Sequence, residues 1–210
     1  MNERLVQLLL TNYGKPINDV LAADICLAAA QLSTLIPPEH IAKLPREYRR
    51  DAVFGVERME DIAPEMKALH LAHWQETEGH RHGLAFNPDY DNLIRYERAG
   101  QFVMFTVRSE GGGLVGNCAM YLSRSMHTRT LTATEDTVYL LPRARRGRTA
   151  VLFMKYVEDC LRMLGVKEID MTVKPVSRAE RFFQLLGYKH VENGLTKILL
   201  ETENVQQETA

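Results

Sequence analysis

The chain has 210 residues, enough for one domain of common size with an appendage. Charged residues make up 25% and hydrophobic residues 45%, an average mixture that excludes a disordered, collagen-like or membrane-spanning protein. Lys and Arg total 26 against 27 Asp and Glu, so the net charge of −1 gives no global attraction to nucleic acid or anionic lipid. An anion site must therefore be local.

Cysteine usage and the N-terminus bear on the cellular compartment. Cys26, Cys118 and Cys160 are widely spaced and odd in number, which fits neither a disulfide framework nor a zinc motif. The apolar run Leu8–Leu10 is too short for a signal sequence or a membrane span. We therefore expect a protein of the reducing cytoplasm that makes no membrane contact.

Residues 1–51 are predicted to form a helical extension. Apolar residues recur at helical spacing in residues 5–9, and residues 17–35 are rich in Ala and Leu. Asn18 is a candidate N-cap of the second helix, and Pro37 with Pro38 ends it. We expect a domain boundary at residue 51, and the extension is a candidate surface for homo-oligomerisation.

Residues 52–201 are predicted to form a domain of mixed helices and strands. A strand over 52–58 precedes a helix to about residue 78, with Asp61 as its cap and Pro64 near its start, and a second helix over 89–99. Three strands follow, over 102–108, 114–123 and 129–141, and the glycine-rich turn between the first two predicts antiparallel pairing. The pattern then predicts a helix over 149–164, a strand over 168–173, a helix over 177–186 and a last strand or hairpin to residue 200. Residues 202–210 are expected to be a flexible tail.

An arginine-rich turn separates the long third strand from the helix that begins near Thr149. Arg143, Arg145, Arg146 and Arg148 lie within six residues, and like charges this close repel each other unless an anion or carboxylates compensate. Free N–H groups and the helix dipole at a helix start also favour a phosphate. A diphosphate ligand accounts for both features, while a solvated surface turn is the alternative.

The order of elements and several short motifs resemble the GCN5-related N-acetyltransferases (GNAT) over about Phe54–Leu200. Leu114-Val115-Gly116 is similar to a strand phrase of that family, and Phe183–Tyr188 is similar to its closing Gly-aromatic phrase. Arg145 through Ala150 resembles its coenzyme loop, Q/R-x-x-G-x-G/A. The stretch from Met126 to Leu199 also resembles a GNAT subgroup carried by bacteriophages. The resemblance implies an α/β (α+β) fold with a mixed, mostly antiparallel twisted sheet flanked by helices.

The same resemblance implies acetyl-coenzyme A as cosubstrate and a primary amine of a protein or small molecule as acceptor. Its strand end and loop imply the coenzyme-binding residues Leu140, Leu141, Arg145, Arg146, Gly147, Arg148, Thr149 and Ala150. Arg148 stands where the family has a glycine. Phe183 stands where many members have a tyrosine that protonates the leaving thiolate, so Tyr188, another group or solvent must supply that proton.

A base for the acceptor ammonium is sought on the long strand, where GNAT enzymes often place it. Glu135 and Asp136 point to opposite faces of a regular strand. With that period Asp136 shares a face with Val138 and Leu140, so it is the preferred base and Glu135 the second candidate. His127, just before the strand, is a third because histidine titrates near neutral pH.

Trp74 and Glu76 are the candidate substrate-side residues, since the first helix of the domain lines the acceptor side in the family. His70, His73, His80 and His82 lack the Cys or acidic partners of a metal site, so no metal is expected. The sequence thus predicts an acetyl-coenzyme A-dependent N-acetyltransferase. The alternative is a weak or inactive GNAT scaffold, encoded by a phage, that binds a host protein.

Overall fold

A computed structural model describes residues 3–77, 85–174 and 179–197 of the chain. The helices are α1 (Glu3–Thr11), α2 (Asp19–Ser33), α3 (Pro38–Ala42), α4 (Met59–Thr77), α5 (Tyr90–Arg98), α6 (Thr149–Met163) and α7 (Ala179–Leu185). The strands are β1 (Glu47–Tyr48), β2 (Ala52–Val56), β3 (Phe102–Ser109), β4 (Leu114–Arg124), β5 (Leu131–Leu140) and β6 (Glu168–Asp170). His80, His82 and the predicted tail lie outside the described residues.

The six strands form one sheet in the order β1 to β6. Every neighbouring pair is antiparallel except β5 and β6, which run parallel, with α6 as the crossover. The predicted mixed, mostly antiparallel sheet with flanking helices is confirmed. None of the described helices is both long enough and apolar enough to cross a membrane.

Each face of the sheet has its own apolar core, and the two cores fix where the helices lie. On one face Phe54 and Phe105 pack against Phe153 and Tyr156 of α6. On the other face the helices α4 and α5 pack on a second cluster with these members: Met59, Ile62, Met66, Leu69, Phe102, Met104, Leu114, Ala119 and Tyr139. We call the first the α6 face and the second the α4 face.

The N-cap predicted for α2 is confirmed, because the Asn18 side chain accepts a hydrogen bond from the Leu21 N–H. The cap predicted for α4 is wrong. That helix begins at Met59, whose N–H donates to both carboxylate oxygens of Glu97 on α5, while Asp61 binds Arg58 instead. Long-range pairing of two helices thus replaces the local cap that the sequence indicated.

The last strand or hairpin predicted to residue 200 is absent from residues 188–197, which form neither helix nor strand. The strand predicted over 168–173 is also shorter, since β6 ends at Asp170. The sheet therefore stops at β6, in the part of the chain that the structure describes.

Residues 35–48 are built into the domain, although the sequence placed the boundary after them. Ile36 and Ile41 are buried in the α6-face core, and β1 pairs with β2. The Tyr156 hydroxyl donates to the Pro45 carbonyl at 2.7 Å. Gly100 touches the Ile36 backbone so closely that a Cβ would lie 1.8 Å from its carbonyl oxygen. A removable N-terminal extension is therefore better ended at Ser33 than at residue 51.

We expect deletion of residues 1–33 to leave a folded domain and deletion of residues 1–51 to abolish folding. The longer deletion removes Ile36 and Ile41, each worth about 1.5–3 kcal/mol when fully buried, out of a typical domain stability of about 5–15 kcal/mol. Thermal denaturation followed by circular dichroism measures both. A cooperative transition in the longer deletion would restore the boundary at residue 51.

Candidate active site

The strands β5 and β6 form a fork in the sheet. Their parallel pairing runs from Thr132 with Glu168 to Thr134 with Asp170, and β6 ends there while β5 continues to Leu140. The second half of β5 therefore has an edge that no described strand pairs with. Such an edge is a place where an extended ligand can add to a sheet.

A β-bulge in β5 decides which acidic side chain faces which way. Ala119 of β4 pairs with Thr137, but the next residue, Met120, pairs with Glu135, so Asp136 has no opposite residue on β4. Paired residues of antiparallel strands share a face, and Met120 belongs to the α6 face. Glu135 therefore lies on the α6 face.

The face assignment made from a regular two-residue period is wrong. Val138 pairs with Cys118 and packs on the α6 face, as Leu140 does. Glu135, not Asp136, shares their face, because the extra residue of the bulge shifts the alternation by one position.

Glu135 lies in the fork itself. Its Oε2 accepts a hydrogen bond of 3.3 Å from the N–H of Thr172, two residues past the end of β6. Burial raises the pKa of Glu135 to about 7, while hydrogen bonds from the N–H groups of Thr172 and Val138 act in the opposite direction. Burial also raises the pKa of Asp136. A carboxyl group with a pKa near neutrality is suited to taking up a proton.

Arg145 closes the other end of the open edge. Its Nε donates to the Leu140 carbonyl at 2.7 Å, and its two terminal nitrogens bind the carboxylate of Glu76 at 2.7 Å each. The guanidinium carbon lies 5.1 Å from the centre of the Tyr139 ring, and the Tyr139 hydroxyl donates to Glu76 at 3.0 Å. The structure thus brings together Arg145, predicted on the coenzyme side, and Glu76, predicted on the substrate side.

Neutral histidines line α4 beside this cluster. The His73 ring lies 5.2 Å from the Tyr139 ring. Burial lowers the pKa of His73 to about 4, helped by the positive charge of Lys174, and burial lowers the pKa of His70 to about 4 as well. Trp74 packs against Phe86, at 5.9 Å between ring centres. Among the described residues, no group of three or more His, Cys, Asp and Glu side chains could hold a metal ion.

The arginine-rich turn leads into α6 as the sequence predicted. Gly147 has a φ of 65°, which a side chain tolerates poorly, and Arg148 occupies the N-cap position without a side-chain cap. The left-handed residue is thus Gly147, one place before the glycine position of the family motif. Arg143, Arg146 and Arg148 form no ion pair with any residue that the structure describes. Positive charges and free N–H groups at a helix start favour a bound anion.

Two further candidates lie elsewhere. His127 is exposed in the turn between β4 and β5, so the length of β5, roughly 30 Å at 3.3 Å per residue, separates it from Leu140. His127 is therefore not part of this site. Tyr188 has a buried hydroxyl beside Glu158, and its ring packs on Phe183 of the α6-face core.

Sequence reasoning missed Tyr139, His73 and Thr172. The sequence analysis gave Tyr139 no role, and Thr172 contributes only its backbone N–H, which no side-chain pattern reveals. The spacing of His73 and Glu76 on one helix face was the available signal. It indicated packing equally well, so it could not single out a site.

Comparison with solved structures identifies the class of fold. An aminoglycoside acetyltransferase from an uncultured soil metagenomic sample aligns at 12% identity and a TM-score of 0.55, over 71% of this chain and 95% of that one. A ribosomal-protein-alanine N-acetyltransferase from Brucella melitensis aligns at 15% identity and a TM-score of 0.54, over 71% and 99%. A possible acetyltransferase from Clostridium difficile aligns at 13% identity and a TM-score of 0.54, over 72% and 99%.

The chain therefore has the fold of the GNAT acetyltransferases, as the sequence resemblance predicted. A scan against protein-family models finds no match, and neither does a search of curated protein sequences. At 12–15% identity these structural neighbours show the fold alone. The reaction of this chain must be inferred from its own residues.

We expect Glu135 to make the free energy of unfolding fall as pH rises from about 4.5 to 7. The Glu135 carboxyl group has a pKa of about 7 in the folded chain and of about 4.5 in the unfolded chain. Its contribution to stability is therefore fully present below pH 4.5 and is lost as the pH rises to about 7. Glu135→Gln removes this dependence, of roughly 1 kcal/mol per pH unit. The lowered pKa values of His70 and His73 make stability rise with pH, but this contribution is the same in wild type and Glu135→Gln and cancels when the two are compared. The free energies of unfolding of both proteins are measured by urea titration at several pH values. A difference between them that does not change with pH would contradict the raised pKa of Glu135.

Proposed function

We propose that the chain transfers an acetyl group from acetyl-coenzyme A to a primary amine. The observation that carries this proposal is the fork, whose open β5 edge runs directly into an uncapped, arginine-rich helix start. An extended arm can add to the edge while its diphosphate sits at the helix start. Acetyl-coenzyme A has both parts in that order.

The diphosphate would be held mainly by Arg146, Arg148 and the backbone N–H groups of residues 147–150. These arginines are exposed and have no carboxylate partner among the described residues, unlike Arg145, which is committed to Glu76. Charge-assisted bonds and helix-start donors together favour a dianionic group. Leu140 and Leu141 would align the pantetheine arm through the backbone, and Arg145 would position the turn.

Acetyl transfer needs a base, donors for the tetrahedral oxyanion and a leaving thiolate. Glu135 is the base that the geometry supports, because it lies in the fork and its pKa of about 7 lets it accept a proton at neutral pH. The amine, once deprotonated, attacks the thioester carbonyl, and main-chain N–H groups near the bulge stabilise the oxyanion. The thiolate leaves and takes its proton from solvent, since Phe183 has no hydroxyl and the Tyr188 hydroxyl is buried beside Glu158.

The acceptor would approach between α4 and the end of β5, next to His73, Glu76 and Tyr139. The second candidate function is a phage-encoded scaffold that binds a host protein and catalyses little, and Phe183 is the observation that favours it. Tight binding of acetyl-coenzyme A without transfer to any of a panel of peptides and small amines would support the scaffold.

We expect the double variant Arg146→Glu and Arg148→Glu to bind acetyl-coenzyme A more than tenfold more weakly than wild type, because like charge then faces the diphosphate. Isothermal titration calorimetry measures the affinity. The matched control is Arg124→Glu with Arg162→Glu, which reverses two exposed charges outside the site. Equal affinities in wild type and the first variant would remove the proposed anion site.

We expect Glu135→Gln to lower turnover by roughly a hundredfold with little change in coenzyme affinity, because the substitution keeps the shape and removes the base. Asp136→Asn is the control next to it and should retain turnover within a few-fold. Release of coenzyme A with an amine acceptor gives the rates. Loss of turnover in Asp136→Asn, together with an active Glu135→Gln, would reverse the assignment.

A further inference from the structure

The helices α1 and α2, which precede the domain, pack mainly on each other. Among the described elements, neither of them has a comparable contact with the sheet or with another helix. A hydrogen bond joins the end of this pair to the domain, because the Leu35 N–H donates to the Ala99 carbonyl at 2.8 Å. Much of the surface of the pair is therefore left uncovered by the rest of the described chain.

The helix α2 is apolar on more than one side. Eleven of its 15 residues are apolar, and they surround the helix instead of forming one stripe. Leu21 and Ile25 are half buried, whereas Val20 and Ala23, which the helical period places on another side, are exposed. A helix that is hydrophobic all round is normally buried in a larger structure. This exposed side of α2 therefore lacks the cover that its composition requires.

Large apolar side chains are also exposed around the turn between the two helices. Five of them are between 50% and 91% exposed: Leu9, Leu10, Tyr13, Ile17 and Val20. We call these five residues the apolar patch. Single exposed apolar residues are normal on a protein surface, but a group of them at one place marks an interaction site.

The charges of the helix pair favour a second copy of the chain over a membrane surface. Residues 3–33 contain three acidic and two basic side chains, namely Glu3, Arg4, Lys15, Asp19 and Asp24. Helices that lie on membranes are rich in Lys and Arg, and attraction to anionic lipid requires an excess of positive charge. A surface with few charges of both signs does not repel its own copy.

A second copy also has the geometry to cover the patch. Most homo-oligomers have a twofold axis, across which the same surface of both chains makes contact. Two helix pairs related by such an axis form a four-helix bundle, in which each helix packs on more than one neighbour. An exposed small residue such as Ala23 allows the helices of the two copies to approach closely.

We propose that α1 and α2 form a dimerisation module, in which the apolar patch of one chain packs on the apolar patch of a second copy and completes a four-helix bundle. The dimer does not depend on the reaction at the open edge of β5. Its failure would leave the proposed function standing, and failure of the proposed function would leave the dimer standing.

Sedimentation equilibrium of the full chain measures the self-association, and we expect wild type to be a dimer at micromolar concentration. Leu10→Glu and Val20→Glu should each weaken the dimer on the order of a hundredfold, because the twofold axis places an unpaired charge in the interface twice. Leu185→Glu and Val191→Glu are the matched controls. These residues are 80% and 79% exposed and lie outside the helix pair, so both controls should dimerise as wild type does.

Loss of the dimer in both patch variants, with dimers retained in both controls, supports the proposal. A monomeric wild type overturns it, and so does a dimer that persists at wild-type strength in either patch variant. Flotation of a monomeric wild type with vesicles of phosphatidylcholine and phosphatidylserine would assign the patch to a membrane instead. Thermal denaturation checks that each variant is folded. Because Leu10 and Val20 lie on different helices, a folding defect in one variant leaves the other to decide.

Discussion

The end of the pairing between β5 and β6 is the constraint on which the site depends. Past Thr134 and Asp170 the two strands no longer share hydrogen bonds, and six residues of β5 continue with one edge free. Backbone polar groups in a partly buried place require partners. Arg145 binds the Leu140 carbonyl at this edge, and the Thr172 N–H binds the carboxylate of Glu135, a residue of the same half of β5.

The bulge at Asp136 is the second feature that shapes the site. One extra residue in β5 sends Glu135 to the α6 face and into the fork, where burial raises its pKa to about 7. In a regular strand its side chain would point to the α4 face. A backbone irregularity thus sets the electrostatic character of a carboxyl group, since the environment that raises the pKa exists on only one face.

The ion pair of Glu76 with Arg145 connects the two halves of the cleft. Glu76 is in the last turn of α4, on the proposed acceptor side, and Arg145 is in the turn that leads to α6, on the proposed coenzyme side. Both side chains are about two-fifths exposed, so the pair contributes little to stability by itself. Its bidentate geometry fixes orientation instead, and it holds Arg145 against Tyr139 and the Leu140 carbonyl.

The sequence by itself determined α1, α2 and the order of the elements from β2 to α7, because hydrophobic period, glycine-rich turns and caps such as Asn18 act over a few residues. It also located the arginine turn and the helix start that follows it, since these are contiguous in the chain. What only the tertiary structure decided depends on contacts between distant segments. The bulge exists in the register of β5 against β4, Glu97 reaches Met59 from another helix, and Ile36 enters the core from outside the predicted domain. Local periodicity has no information on such pairings, because their free energy arises only when the sheet and helices pack together.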